Sequence, residues 1–334
     1  MTAADRLRVV VAGASFASLE PETRALAAIG GTVVDARGLD AAETLELCRG
    51  ADGVMTDYFR CSAEVIRKLV RCRIICQYGV GLDQIDIAAA TRAGIIVTHT
   101  PSYSVDELAD HALALILAVA RNVVRFDRAV RAGTWDYDCA GPMRRLRGRT
   151  LGLLGFGRAG RALASRAQAL GLEVVATDPA VDDTVFASAG VRRVELPELL
   201  ARADVLSLHA PLTEDTRRCL GRAELAVLKP GAILVNTARG CLVDQEALAD
   251  ALESGHLAGA GLDVLQEEPP ADGERLLALE SVVLTPHAGF LSVESLHSVQ
   301  TQAADEVVRA LRGEMPRHAV NPEAQAARKA SGVK

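Results

Sequence analysis

The stretch Gly155-Phe156-Gly157-Arg158-Ala159-Gly160 constrains the fold of this chain more than any other. The apolar run Thr150 to Leu154 leads into it, and a helix-like segment, Arg161 to Leu170, leads out. A second apolar run, Leu172 to Thr177, ends in Asp178, eighteen residues after Gly160. Strand, glycine turn, helix, strand and acid make one βαβ unit, in which the helix is the crossover that parallel strands require. The first glycine of such a unit permits the tight turn. The second lets backbone approach a pyrophosphate, and the third lets the helix pack closely on the strand. Phosphate then sits on the N–H groups of the helix start, which have no partner within the helix. An acid about 20 residues further on accepts the ribose hydroxyls and repels a 2′-phosphate, so Asp178 favours NAD over NADP. The expected cofactor contacts here are Gly155, Gly157, Arg158, Ala159, Gly160 and Asp178.

The same rhythm runs through the rest of the chain. Strand-like runs at Leu7 to Ala12, Thr32 to Asp35, Gly53 to Thr56, Cys72 to Gln77 and Gly94 to Thr98 alternate with helical stretches at Glu20 to Ile29, Ala41 to Arg49, Ser62 to Val70 and Asp86 to Ala93. Pro101 breaks this first series, and Ser104 to Glu107 has the pattern of a capping box for an apolar helix, Leu108 to Arg121. A second helix and a polar bend around Gly133 and Gly141-Pro142 follow. A second series has strands near 150, 172, 204, 232, 258 and 281, then a last helix from Ser292 to Arg312. Alternation of this kind predicts parallel sheets covered by helices. Only the middle block carries the glycine turn. We therefore expect two doubly wound α/β domains, with a Rossmann nucleotide-binding domain, 102–289, inserted into a flavodoxin-like substrate domain, 1–101 with 290–334. From Pro322 onward the composition reads as disordered.

Composition narrows the partners. A net charge of −6 with acids and bases interspersed gives no basic face for nucleic acid or an anionic membrane, so a small diffusing ligand is expected. The seven cysteines are scattered, odd in number and without a C-x-x-C pair, which suits free thiols in a reducing cytoplasm better than disulfides or a metal site. The longest apolar run, Ala112 to Ala120, is nine residues, too short to span a bilayer. Arg6 and Arg8 ahead of Val9 to Val11 imitate a signal peptide, but the apolar core is too short and reads as a first strand.

Reduction of a carbonyl by a nicotinamide cofactor asks three things of the protein: an anchor for the substrate, a proton donor for the forming alkoxide, and a group that fixes the donor's protonation. Arg239 lies just past the strand-like run from Ile233, at the carboxyl end where open parallel sheets bind ligands. Its fork can grip a carboxylate at two points. His287 ends the run Val283 to His287 in the same way, and histidine is the side chain best suited to exchange a proton near neutral pH. Glu267 and Glu268 are the acids that can pair with it and raise its pKa.

Taken together, Gly155 to Gly160 with Asp178, Leu208 to Leu212, Asn236 to Gly240, Leu262 to Val264 with Glu268-Pro269, and Thr285 to Gly289 resemble the D-isomer-specific 2-hydroxyacid dehydrogenases. The resemblance begins at Tyr78 to Asp86 and reaches the last helix. It implies that Arg239 binds substrate, His287 is the acid/base and Glu268, rather than Glu267, is its partner. It also implies that Gly79, Val80 and Gly81 offer backbone N–H groups to the substrate carboxylate, and that Asp263 holds the nicotinamide carboxamide. His209, Ala210, Pro211, Thr237, Ala238, Arg239, His287 and Gly289 complete the groove on the same grounds. The family suggests a homodimer through the helices at 108–130 and Trp135. Within it, Asn236 to Gly240 and Thr285 to Ala288 look most like the branch of the C-terminal-binding-protein corepressors, which leaves an NAD(H)-sensing regulator as the alternative function. The chain departs from that branch at Phe290, where the corepressors carry tryptophan, and lacks their long disordered tail. It departs from phosphite-oxidising relatives at Val80, where they carry lysine.

Overall fold

The computed structural model describes residues 6–141 and 143–330. The chain forms two compact units: one runs through Tyr103 and resumes at Ser292, and the other is Ser104–Leu291.

The first unit holds β1 (Arg8–Ala12), β2 (Thr32–Ala36), β3 (Gly53–Thr56), β4 (Ile74–Gln77) and β5 (Ile96–Thr98), all parallel, in the order β2-β1-β3-β4-β5. This is the flavodoxin-like order. Strands covered on both faces read as continuous apolar runs, and alternate residues here serve opposite cores. Val10, Ala12, Val54, Ile75 and Val97 pack on one face of the sheet. Val9, Val11, Met55, Ile74 and Cys76 pack on the other, under the helix Val293–Leu311.

The second unit holds β6 (Thr150–Leu154), β7 (Glu173–Thr177), β8 (Arg192–Arg193), β9 (Val205–Leu208), β10 (Ala232–Asn236), β11 (Leu257–Leu262) and β12 (Val282–Leu284). Read from β8, the order is β8-β7-β6-β9-β10-β11-β12, again wholly parallel. That is the Rossmann order extended by one strand. Helices Val105–Ala120 and Arg158–Ala169 cover one face, and helices Leu196–Arg202, Arg222–Val227 and Gln245–Glu253 cover the other. The order reverses between β6 and β9, so the carboxyl ends of these strands flank the switch point where such sheets bind ligands.

Several local expectations are corrected. Ser104 is the N-cap of helix Val105–Ala120, but its hydroxyl makes no cap hydrogen bond. Its ψ of 34° departs from the extended backbone that aims a cap side chain at the first turn. That helix buries Ala109, Ala112, Leu115, Ile116 and Val119 in its own unit; the next helix, Val123–Arg131, has no buried residue, and Trp135 is 89% exposed. Strand β8 escaped the sequence because its two residues are exposed arginines with no apolar signal. Residues expected to be disordered form a helix, Ala324–Ala330; Ala324 is fully buried, and Arg328 donates to the Cys72 carbonyl at 2.7 Å. Pro142 of the expected bend, and 331–334 of the expected disordered tail, lie outside the described residues.

Candidate active site

The glycine turn shows why each glycine is needed. Gly155 adopts φ +97°, and a Cβ there would lie 2.6 Å from the Ala210 nitrogen. A Cβ on Gly160 would lie 2.5 Å from the Gly155 carbonyl oxygen, so the helix Arg158–Ala169 sits directly on the turn. A Cβ on Gly157 would meet nothing within 4 Å. This is the open position at the helix N-cap, with no side chain capping the first turn, that a pyrophosphate requires. Asp178 ties the groove together, its carboxylate accepting from the Phe156 N–H at 2.8 Å and the Ala180 N–H at 2.9 Å. His209, after β9, hydrogen-bonds the Ser207 hydroxyl at 2.9 Å, and burial lowers its pKa to about 4, so it is neutral at pH 7. The Thr237 hydroxyl is buried without a hydrogen-bond partner among the described residues, as a side chain facing a bound polar ligand would be. The residues present therefore fit a dinucleotide.

At the end of β10, buried Asn236 shapes the loop that carries Arg239. Its side chain accepts from the Ala238 N–H at 3.0 Å and donates to the Arg239 carbonyl at 2.9 Å. Gly240 then presses against the segment after β11: a Cβ there would stand 1.9 Å from the Leu265 carbonyl carbon. Two loops are thereby fixed backbone to backbone. The second of them carries Glu268.

Glu268 accepts the Leu265 N–H at 3.0 Å through Oε1 and meets His287 Nδ1 at 2.6 Å through Oε2. Burial pushes the Glu268 carboxyl up, but the hydrogen bond and charge of His287, the Leu265 N–H and Arg239 outweigh it and hold the group below its ordinary range. For His287 the Glu268 hydrogen bond is the largest influence and raises the pKa; burial and Arg239 oppose it, and the charges of Glu268 and Asp263 add to the rise. The imidazole is 43% exposed, and Nδ1 is the nitrogen turned to Glu268. No role falls to Glu267 in this pair.

His287 holds φ +54°, a left-handed conformation that non-glycine residues keep only when the surroundings over-determine it. Asp263 supplies much of that constraint. Its carboxylate, 2% exposed as a residue, accepts from the Thr285 hydroxyl at 2.6 Å, the Ala288 N–H at 2.8 Å and the Gly289 N–H at 2.8 Å, and its carbonyl accepts the His287 N–H at 2.8 Å. Burial pushes Asp263 up, and its donors, His111 first among them, bring it below the usual carboxylate value. The sequence suggested a cofactor contact for Asp263; in the structure most of its acceptor capacity serves the loop that carries His287. His111 and Asn236 were not singled out from the sequence. A polar residue breaking an apolar helix, and an asparagine ending a buried strand, were the available signals.

In the first unit, the 79–81 loop follows β4. Gly79 adopts φ +118° and donates its N–H to the Thr100 hydroxyl at 2.8 Å, so that donor is spent within the unit. Val80 is 47% exposed, and its carbonyl takes a hydrogen bond from His99 at 3.0 Å.

A family model described as D-isomer specific 2-hydroxyacid dehydrogenase, NAD binding domain, matches residues 113–289. The chain is 42% identical over 285 residues to a glyoxylate reductase of Korarchaeum cryptofilum, spanning 84% of this chain and 85% of that protein. It is 40% identical over 293 residues to a D-3-phosphoglycerate dehydrogenase of Methanocaldococcus jannaschii, spanning 87% of this chain and 56% of that protein. Among solved structures, D-lactate dehydrogenase from Aquifex aeolicus, complexed with NAD and lactic acid, matches with a TM-score of 0.84 at 27% identity over 94% of this chain and 99% of that one. Fold and groove are those of a nicotinamide-nucleotide oxidoreductase. The chain belongs to the D-isomer-specific 2-hydroxyacid dehydrogenase family.

Proposed function

We propose that the protein transfers a hydride between NAD and C2 of a 2-oxo or D-2-hydroxy acid. The observation that carries this reading is the 2.6 Å contact of His287 Nδ1 with Glu268, made where the electrostatic influence of Arg239 reaches both groups. The bound nicotinamide supplies or accepts the hydride. Arg239 grips the substrate carboxylate and polarises the adjoining carbonyl. Within the first unit, the family resemblance points to the Val80 and Gly81 N–H groups as donors to a substrate, since Gly79 has given up its own. In reduction, His287 protonates the forming alkoxide from Nε2 while Glu268 holds Nδ1–H and stabilises the imidazolium. In oxidation the same nitrogen takes the proton back.

Gly155, Gly157, Arg158, Ala159 and Gly160 would hold the pyrophosphate, with Asp178 on the ribose hydroxyls. His209 to Pro211, Thr237, Ala238 and Gly289 line the groove, and Asp263 is assigned first to the 285–289 loop. In this reading the first unit recognises substrate and the second binds cofactor. The exposed helix Val123–Arg131 and Trp135 suit a homodimer contact. A regulator that only senses NAD(H) needs the glycine turn and the ribose acid, and has no use for a carboxylate-paired histidine beside an arginine. The test is NADH consumption by the pure protein with glyoxylate, pyruvate, hydroxypyruvate and branched or aromatic 2-oxo acids, with NADPH in parallel. Turnover on one of them with NADH establishes the dehydrogenase, whereas tight NADH binding with no turnover on any of them overturns it.

A further inference from the structure

The hydrogen bonds that hold the 285–289 loop continue into the neighbouring helix. His111, on helix Val105–Ala120, places Nε2 2.8 Å from the Thr285 hydroxyl and 3.3 Å from Asp263 Oδ1. Two glycines of β11 let the helix come this close: a Cβ on Gly259 would lie 2.7 Å from Val119 Cγ1, and one on Gly261 would lie 2.8 Å from Leu115 Cβ. The helix therefore seats directly on the strand that leads to Asp263. At the far end of the loop, a Cβ on Gly289 would lie 2.8 Å from Asp263 Oδ2 and 3.3 Å from His111 Cδ2, so the imidazole also lies against the loop's last residue.

A hydroxyl has one proton to give. Thr285 gives its proton to Asp263 at 2.6 Å, so toward His111 it acts as acceptor, and His111 Nε2 carries a hydrogen. The chain of donors runs one way, from His111 to Thr285 to Asp263. It ends on the carboxylate that also takes the Ala288 and Gly289 N–H groups on the C-terminal side of His287.

We propose that His111 is a positioning residue for the reaction: by donating Nε2–H to Thr285 it locks Thr285 to Gly289 in the one arrangement that holds His287 Nδ1 against Glu268. This rests on the acid/base role assigned to His287 above. Among the described residues, the charged groups facing His287 are Glu268 after β11, Arg239 after β10 and Asp263 at the end of β11; His111 reaches it through Thr285 and through Asp263, whose Oδ1 lies 3.3 Å from its Nε2. Loosening the loop weakens the contact that raises His287, so its titration moves down in pH.

The test compares His111→Leu, which removes the donor, with His111→Gln, which retains an N–H donor. One readout is kcat and KM against pH; the other is the titration of the His287 ring followed by NMR, which needs no turnover. His111→Leu should lower kcat by about ten- to a hundredfold, as a catalytic group displaced by an ångström or less does. It should leave the KM for NADH unchanged and move the His287 titration to lower pH. His111→Gln should restore both. If His111→Leu does not fold, Thr285→Val breaks the same chain and should shift the titration likewise. Wild-type kcat and titration in His111→Leu would overturn the inference, as would His111→Gln failing as badly as His111→Leu. A protein that turns over no 2-oxo acid, yet shows the shift in His111→Leu and its reversal in His111→Gln, would keep the positioning role and remove the proposed function. Normal turnover with an unmoved titration would do the reverse.

Discussion

Replacing Gly240 with alanine adds one carbon at a position that touches no reacting atom, yet the structure gives it a large effect. Gly240 begins a short 3-10 turn, and its φ lies outside the left-handed region, so alanine is allowed by the backbone. The obstacle is steric alone. The new Cβ would stand 1.9 Å from the Leu265 carbonyl carbon, 2.0 Å from its oxygen and 2.4 Å from the Gln266 nitrogen, all of them backbone atoms. Ordinary contact begins near 3.4 Å, so the Leu265 peptide must retreat by about 1.5 Å. The N–H of Leu265, in the adjoining peptide and carried along with it, holds Glu268 Oε1 at 3.0 Å, and the other oxygen of that carboxylate holds His287 at 2.6 Å. Moving the first anchor releases the second. Misplacing a catalytic group by an ångström costs about a hundredfold in rate, and overpacking costs about 1–3 kcal/mol of stability. For Gly240→Ala, steady-state NADH oxidation should therefore show kcat/KM down by about a hundredfold, with a lower Tm. NADH binding, measured by fluorescence, should persist because the glycine turn follows a different strand. A folded variant that binds NADH and keeps kcat/KM within about threefold of wild type would refute this coupling of the two loops.

Further outcomes follow from the same contacts. Glu268→Gln removes the main influence that raises His287, so the falling limb of the reductive pH profile, where the imidazole loses its proton, should move to lower pH. The pair also links stability to pH. The share owed to protonated His287 is complete below its unfolded value and lost as pH rises through the raised folded one, while the share owed to Glu268 is complete above its unfolded value and lost as pH falls through the lowered one. Urea midpoints across pH should lose both dependences in the variant. Asp178→Asn should reduce the preference for NADH over NADPH by at least about tenfold in kcat/KM, since the repulsion of a 2′-phosphate goes with the charge. Asn236→Ala orphans the Ala238 N–H and the Arg239 carbonyl, which should cost about 1–3 kcal/mol in chemical denaturation. It should also raise the KM for substrate more than that for NADH.

Much of this was legible in the sequence because it depends on local pattern. The glycine turn, the strand on either side of its helix and Asp178 lie within one βαβ unit, and each residue type there answers to a backbone or charge requirement of its own. Arg239, Glu268 and His287 could be placed past strand ends, with the choice of Glu268 over Glu267 resting on family resemblance. What the sequence hid depends on long-range approach. Gly240 looked like an ordinary loop glycine because the carbonyl that forbids a side chain there lies 25 residues away, at Leu265. His111 looked like one polar residue in an apolar helix, and its partner Thr285 is 174 residues distant. Gly79 was read as a donor to substrate, but its N–H is taken by Thr100, a pairing across β4 and β5 that only the folded sheet reveals. The helix Ala324–Ala330 was read as disorder because a short stretch of alanine and charge has little apolar signal, whereas burial of Ala324 and the Arg328 contact to Cys72 hold it in place.

The central claim is that His287, held by Glu268, moves the proton that accompanies hydride transfer. Its most direct test is the single-turnover rate of NADH oxidation by wild type and His287→Ala on the best 2-oxo acid, with NADH affinity measured on both. The account predicts a chemical step slower by about two to four orders of magnitude with NADH affinity nearly unchanged. Equal single-turnover rates would contradict it.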